Sequence, residues 1–173
     1  MKNGSLILLV VSLVWACAKP ENQVPEPYTG PMRVAEHVDM LYHEKNQLKI
    51  KLIAKKILEH QNGDREFPEG VYLEFYDERG ELQSTLQANE AFYFKEENKW
   101  RGRGNVIVIN LQKNQQLNTE ELFWKPDTKR IFTEKFVNIK LDQEVIYGTG
   151  LEAAQDMSEY EIKKTEGEFL IRD

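Results

Sequence analysis

Cysteine is almost missing from this chain: its 173 residues hold one, Cys17. A single thiol builds no disulfide within the chain and no cysteine-based metal cluster. Histidine is nearly as scarce. His37, His43 and His60 stand apart, none with a partner at metal-ligand spacing, and they read as exposed or half-packed side chains. A basic excess is lacking too. The 23 Lys and Arg face 29 Asp and Glu, for a net charge of −6, so no nucleic-acid partner is expected. No apolar run reaches the ~18 residues of a spanning helix. Beyond the first segment the serines are Ser84 and Ser158. Neither sits in a Gly-x-Ser-x-Gly elbow. Gly148-Thr149-Gly150 lacks the third glycine and the following helix of a dinucleotide loop. The carboxylates, such as Glu96-Glu97 and Glu120-Glu121, read as solvated faces rather than a paired acid and base. Nothing in the sequence asks for a cofactor, a metal or an enzyme's catalytic set.

What is present begins with an address. Lys2 precedes an apolar run of 11 residues, Leu6 to Ala16. A bilayer core needs roughly 20 helical residues, so this run suits the apolar part of an export signal. It ends in Val14-Trp15-Ala16-Cys17. A small residue before the lone cysteine resembles a bacterial lipobox, where the thiol is lipidated and the chain is cut before it. Residues 1–16 are thus expected to be a signal peptide and Cys17 a lipidation site. Several acyl chains anchor a protein stably to a membrane where one is marginal. Residues 17–31 then hold four of the six prolines: Pro20, Pro25, Pro27 and Pro31. Proline-rich chain extends ~3.1 Å per residue, so this tether reaches roughly 40 Å from the membrane.

Residues 32–173 read as strands. Leu48, Ile50 and Leu52 alternate with Lys49 and Lys51, as do Val71, Leu73 and Phe75 with Tyr72, Glu74 and Tyr76. Each pattern describes a strand with one dry and one wet face. Val38, Met40 and Tyr42 alternate as well, although Met32 to Leu41 also offers a weak helical pattern. Turns fall at 43–47, Asp77 to Gly80, Pro126 to Lys129 and Leu141 to Glu144. Gly102, Gly104, Gly148 and Gly150 are expected at bulges or close backbone approaches. Small basic clusters, Lys55-Lys56, Arg101 to Arg103, Lys129-Arg130 and Lys163-Lys164, read mostly as protection of edge strands.

A repeat sharpens this picture. Ala91, Leu122 and Ala153 lie 31 residues apart, and at the same spacing Trp100, Ile131 and Ile162 correspond. Tyr93 matches Trp124, Val106 matches Val137, and Val108 matches Ile139. A unit that cannot bury its own dry face must stack on its neighbours. The expected fold is all-β, a β-roll or β-jellyroll of repeated hairpins, open at both edges.

The segments Leu86-Gln-Ala-Asn-Glu-Ala-Phe-Tyr93, Trp100-Arg-Gly-Arg-Gly-Asn-Val106, Leu117-Asn-Thr-Glu-Glu-Leu-Phe-Trp124, Ile131-Phe-Thr-Glu-Lys-Phe-Val137 and Val145-Ile-Tyr-Gly-Thr-Gly-Leu-Glu-Ala153 resemble the LptC family. These proteins are the periplasmic components of lipopolysaccharide export. The resemblance spans roughly Val38 to Phe169. It implies a β-jellyroll that takes lipopolysaccharide from an inner-membrane ABC transporter. The cargo then passes along stacked jellyrolls toward the outer membrane, the next periplasmic bridge protein being a neighbour. By that analogy the acyl chains lie against inward residues: Leu52, Leu73, Ala91, Tyr93, Leu122, Trp124, Ile131, Val137 and Ile139. Many family members keep an uncleaved membrane helix where this sequence has its lipobox-like segment. The expected place is the periplasmic side of the inner membrane, held by the lipid. A competing reading is a scaffolding lipoprotein that binds protein partners without lipid cargo. It draws attention to a partner edge at Tyr160, Ile162, Lys163 and Lys164, since strands dock edge to edge through backbone hydrogen bonds.

Overall fold

The computed structural model describes residues 28–166. The signal segment, Cys17 and most of the tether lie outside those residues. Among the described residues there is no helix, and eleven strands form one antiparallel sheet. They are β1 (Arg33–Glu44), β2 (Gln47–Glu59), β3 (Arg65–Phe67), β4 (Val71–Tyr76), β5 (Leu82–Ala88), β6 (Glu90–Phe94), β7 (Lys99–Asn110), β8 (Gln115–Lys125), β9 (Arg130–Lys140), β10 (Val145–Ala154) and β11 (Tyr160–Glu166).

The chain is a meander. β3 and β4 are two parts of one line, since both pair with β2, through Leu58↔Glu66 and Leu52↔Leu73. β5 and β6 likewise share β7, through Leu86↔Val108 and Tyr93↔Trp100. Every line therefore lies beside its neighbours in sequence, and the end strands β1 and β11 each have one free edge. Hairpins form where the sequence tolerates positive φ. Lys45 and Asn46 both adopt it, as the two central residues of a type I′ turn must. Gly80, at φ 79°, closes the β4–β5 turn with its N–H donating to the Asp77 carbonyl at 3.2 Å. The helical pattern at Met32 to Leu41 is overruled: β1 pairs with β2 almost throughout, from Arg33↔Glu59 to Glu44↔Gln47. Tertiary pairing outweighs a weak local preference.

One device turns this flat meander into a roll. The pairing slips between Arg103 and Val106 in β7, between Thr119 and Phe123 in β8, and between Thr149 and Leu151 in β10. At the same level β3 gives way to β4 and β5 to β6. A bulge bends its strand and tightens the twist; aligned bulges crease the whole sheet. Gly104 (φ 69°), Asn105 (φ 47°) and Gly150 (φ 78°) supply the backbone for it, and the Asn89 N–H reaches the Gly104 carbonyl at 2.9 Å across the fold line. The glycines foreseen at bulges are thus where the crease needs them.

Two layers result. The first holds β4, β5 and the segments 106–110, 115–119 and 136–140; the second holds β3, β6 and the segments 99–103, 122–125, 130–133 and 151–154. They face each other: Phe75 of the first meets Trp124 of the second edge-on, ring centroids 5.3 Å apart. The core between them includes Leu117, Val137, Ile139 and Leu151, all at 0% exposure. The repeat maps onto it. Ala91, Leu122 and Ala153 are 2%, 2% and 0% exposed, so all three copies point inward.

Candidate functional site

Alternation decides what each strand contributes to the interior. In β4, Val71, Leu73 and Phe75 are buried while Tyr72, Glu74 and Tyr76 are half-buried. Cross-strand partners share a face, so inward residues form rows across the sheet. One row runs Tyr93, Trp100, Trp124, Ile131. Its rings meet in sequence, tilted against one another: Tyr93–Trp100 centroids are 4.9 Å apart and Trp100–Trp124 centroids 5.9 Å. Phe67 closes on Trp100 at 5.3 Å. The Trp124 indole N–H donates to Gln155 Oε1 at 3.0 Å, which gives a buried tryptophan the polar partner it needs.

The structure brings the predicted interior residues to one side of the sheet. Leu52, Leu73, Ala91, Leu122, Trp124, Ile131, Val137 and Ile139 are all buried, and Tyr93 is half-buried against that core. Leu73, Ala91, Leu122 and Trp124 border a void of about 20 Å³, room for about one water. An alkyl chain enters at this place only when the layers part there. Phe67, Phe75, Trp100 and Met157 belong to the same wall, beyond the residues expected from the sequence. The period-two pattern around Phe75 and the repeat position of Trp100 carried the signal for two of them. Met157, in a turn, had none.

The interior row does not stop at the core. Met40 pairs with Leu52 and Tyr42 with Ile50, which carries the inward face onto β1. Among the described residues nothing covers it there: Met40 is 42% and Tyr42 58% exposed. Leu41 and Val34 are exposed as well. The opposite edge differs. In β11, Tyr160 and Ile162 pack against the core, while Lys163 pairs with Glu134. Burial, with help from Glu144, pushes the Tyr160 hydroxyl above the usual tyrosine pKa. A side chain at Gly148 would overlap Ile162 Cγ2 and the Lys164 carbonyl, so this close approach of β10 and β11 requires glycine.

A larger depression, about 420 Å³, lies elsewhere, on the outer side of the crease. Its charges are mixed. Arg101 is held by Glu121, its Nε 2.7 Å from Oε2, with Arg103, Lys135, Glu90 and Glu120 around them. Such a surface suits neither an alkyl chain nor an anion in particular. The basic clusters are placed differently from expectation: Lys55-Lys56 lie on β2, Arg101 to Arg103 on β7 and Arg130 on β9, all interior strands, and Lys163-Lys164 alone protect an edge. Their side chains project from outer faces and turns, where solvation rather than edge position suffices. Among the described residues no group of three His, Cys, Asp or Glu side chains is placed to hold a metal.

A rolled single sheet with an apolar inner wall, two free edges and that wall running out onto one edge defines a class: a β-jellyroll-like module. The family model described as lipopolysaccharide-assembly, LptC-related, matches residues 5–166, and the chain belongs to the LptC family. That family serves lipopolysaccharide transport as a periplasmic component and is not a family of enzymes. No curated protein matches the chain by sequence.

Proposed function

We infer that this chain is a lipid-anchored bridge in lipopolysaccharide export. Cys17 carries the anchor on the periplasmic side of the inner membrane, and the tether holds the roll above it. The roll accepts lipopolysaccharide from an inner-membrane ABC transporter and hands it to a further periplasmic jellyroll. Acyl chains lie between the layers, against Leu52, Leu73, Ala91, Tyr93, Leu122, Trp124, Ile131, Val137 and Ile139. Apolar burial holds the chains, and direction comes from ATP hydrolysis in the partner. Both free edges dock by strand addition: β1 at one end and Tyr160, Ile162, Lys163 and Lys164 of β11 at the other.

One observation carries this reading: the inward apolar row continues from the buried core onto Met40 and Tyr42, where it is uncovered. An edge strand with exposed apolar side chains on a lone roll is an aggregation hazard. A neighbouring roll added to β1 would cover it and prolong the inner wall.

The scaffold reading has an observation in its favour too, the small void between the layers. In-cell photocrosslinking separates the two. A photoreactive residue replaces Trp124, which faces inward, or its outward neighbour Phe123. A carrier gives an ATP-dependent lipopolysaccharide adduct at Trp124 and none at Phe123. Absence of lipid adducts at both, beside protein adducts at Ile162, identifies a scaffold.

A further inference from the structure

Away from the crease, the far ends of the two layers are fastened by the turn between β10 and β11. Asp156 ties that turn to the first layer twice. The Gln83 amide N–H donates to its Oδ2 at 3.2 Å, and the Asn110 amide N–H donates to its backbone carbonyl at 2.5 Å. The Lys113 ammonium reaches the Ser158 carbonyl at 3.0 Å. On the other side Gln155 accepts from Trp124, and its N–H donates to the Lys129 carbonyl at 2.9 Å. Met157, between these ties, is 1% exposed and has φ 57°. These ties and its buried side chain hold a non-β-branched, non-glycine residue in the left-handed region, a conformation that surroundings must over-determine.

The seam is polar: Asn110 is 2% exposed, and the Ser84 hydroxyl opposite it in the sheet is buried with no partner among the described residues. The hydrogen bonds of the seam are exchanged for water when it opens, at small net cost; the buried Met157 side chain is the part that holds it shut by apolar burial. The crease, by contrast, is continuous backbone and cannot part.

We propose that residues 155–158 are a latch: with Met157 seated the roll is shut, and the turn swings away from Gln83 and Asn110 to admit an acyl chain between the layers. The latch rests on the carrier reading given above. It accounts for a carrier whose wall around Trp124 leaves room for about one water, because the packed core is the latched state. The hinge is the crease, on the far side of the core.

The test fixes the latch chemically in the full chain. Gln83→Cys and Asp156→Cys, in a Trp15→Phe, Cys17→Ser background that leaves Trp100 and Trp124 as the reporting indoles, are joined by bis-maleimidoethane; the same protein capped with N-ethylmaleimide is the open comparison. The probe is a dibrominated C18 fatty acid, which quenches Trp100 and Trp124 on contact. Thermal melting of both forms verifies the fold. The expected result is saturable quenching in the capped protein and at least a tenfold loss of it in the bridged one. Equal quenching in both overturns the latch and leaves the carrier reading standing. No quenching in either, with both forms folded, overturns the latch and the carrier reading together.

Discussion

The two edges of the sheet are built by the same meander and finished in opposite ways. β1 is exposed along nearly its whole length and carries Val34, Met40, Leu41 and Tyr42 on the surface. β11 presents Glu161, Lys163 and Lys164 and turns its apolar residues, Tyr160 and Ile162, toward the core. Lysine on an edge is a standard guard against unwanted pairing. β11 carries two lysines, whereas β1 carries no lysine and leaves four large apolar side chains exposed among its charges. The difference teaches that the edges are not interchangeable. An apolar edge left open invites pairing with another chain, and a lysine-bearing edge discourages it.

The sharpest way to break this contrast is to unseat β11. Gly148→Val places a side chain where Ile162 and the Lys164 carbonyl already lie. Overpacking of this kind costs ~1–3 kcal/mol. Hydrogen exchange should show the amides of 160–166 losing protection while those of β2 keep theirs; uniform protection would mean that the approach at Gly148 is not what seats the strand. A smaller effect on stability, with a large one on association, comes from giving β1 the character of β11. Met40→Lys with Tyr42→Lys should leave the melting midpoint nearly unchanged, within ~0.5 kcal/mol for exposed sites. Capture of a partner at that edge should fall at least tenfold in a crosslinking assay. If the chain instead unfolds, β1 holds the fold together rather than waiting for a neighbour.

Two finer tests act on the guard itself. Lys163→Ala removes the pair with Glu134, which is exposed on both sides, and should change stability by no more than ~0.5 kcal/mol. Its measurable consequence is self-association at high concentration, followed by sedimentation. Tyr160 gives a pH test. Its folded pKa is raised, first by burial and then by Glu144, so the folded state holds the proton more tightly than the unfolded one. Its stabilising effect is full below the ordinary tyrosine value and is lost as pH rises through the raised one. Alkaline melting curves of Tyr160→Phe should be flatter than those of the parent across that window; parallel curves would show that Tyr160 is not buried against the core.

Much of this was legible in the sequence because it is periodic. The alternation in 71–76 set the inner face of β4, and the spacing of Ala91, Leu122 and Ala153 located three equivalent inward positions. Gly104 and Gly150 marked the crease because few other residues tolerate their φ values. What stayed hidden was set by contacts that no local pattern records. The latch joins Asp156 to Asn110 and Gln83, 46 and 73 residues away. The break between β3 and β4 depends on the level at which neighbouring strands bend. The bareness of β1 was hidden for a different reason: Val38, Met40 and Tyr42 show which face is apolar, and periodicity says nothing about whether anything lies over it.

The account rests on edges that receive two different neighbours. The direct measurement is in-cell photocrosslinking with the probe at Tyr42 in β1 and, separately, at Lys164 in β11. The prediction is a protein adduct at each edge, of different identity, with neither formed at outward-facing Phe123. The same partner at both positions, or no protein adduct at Tyr42, would contradict it.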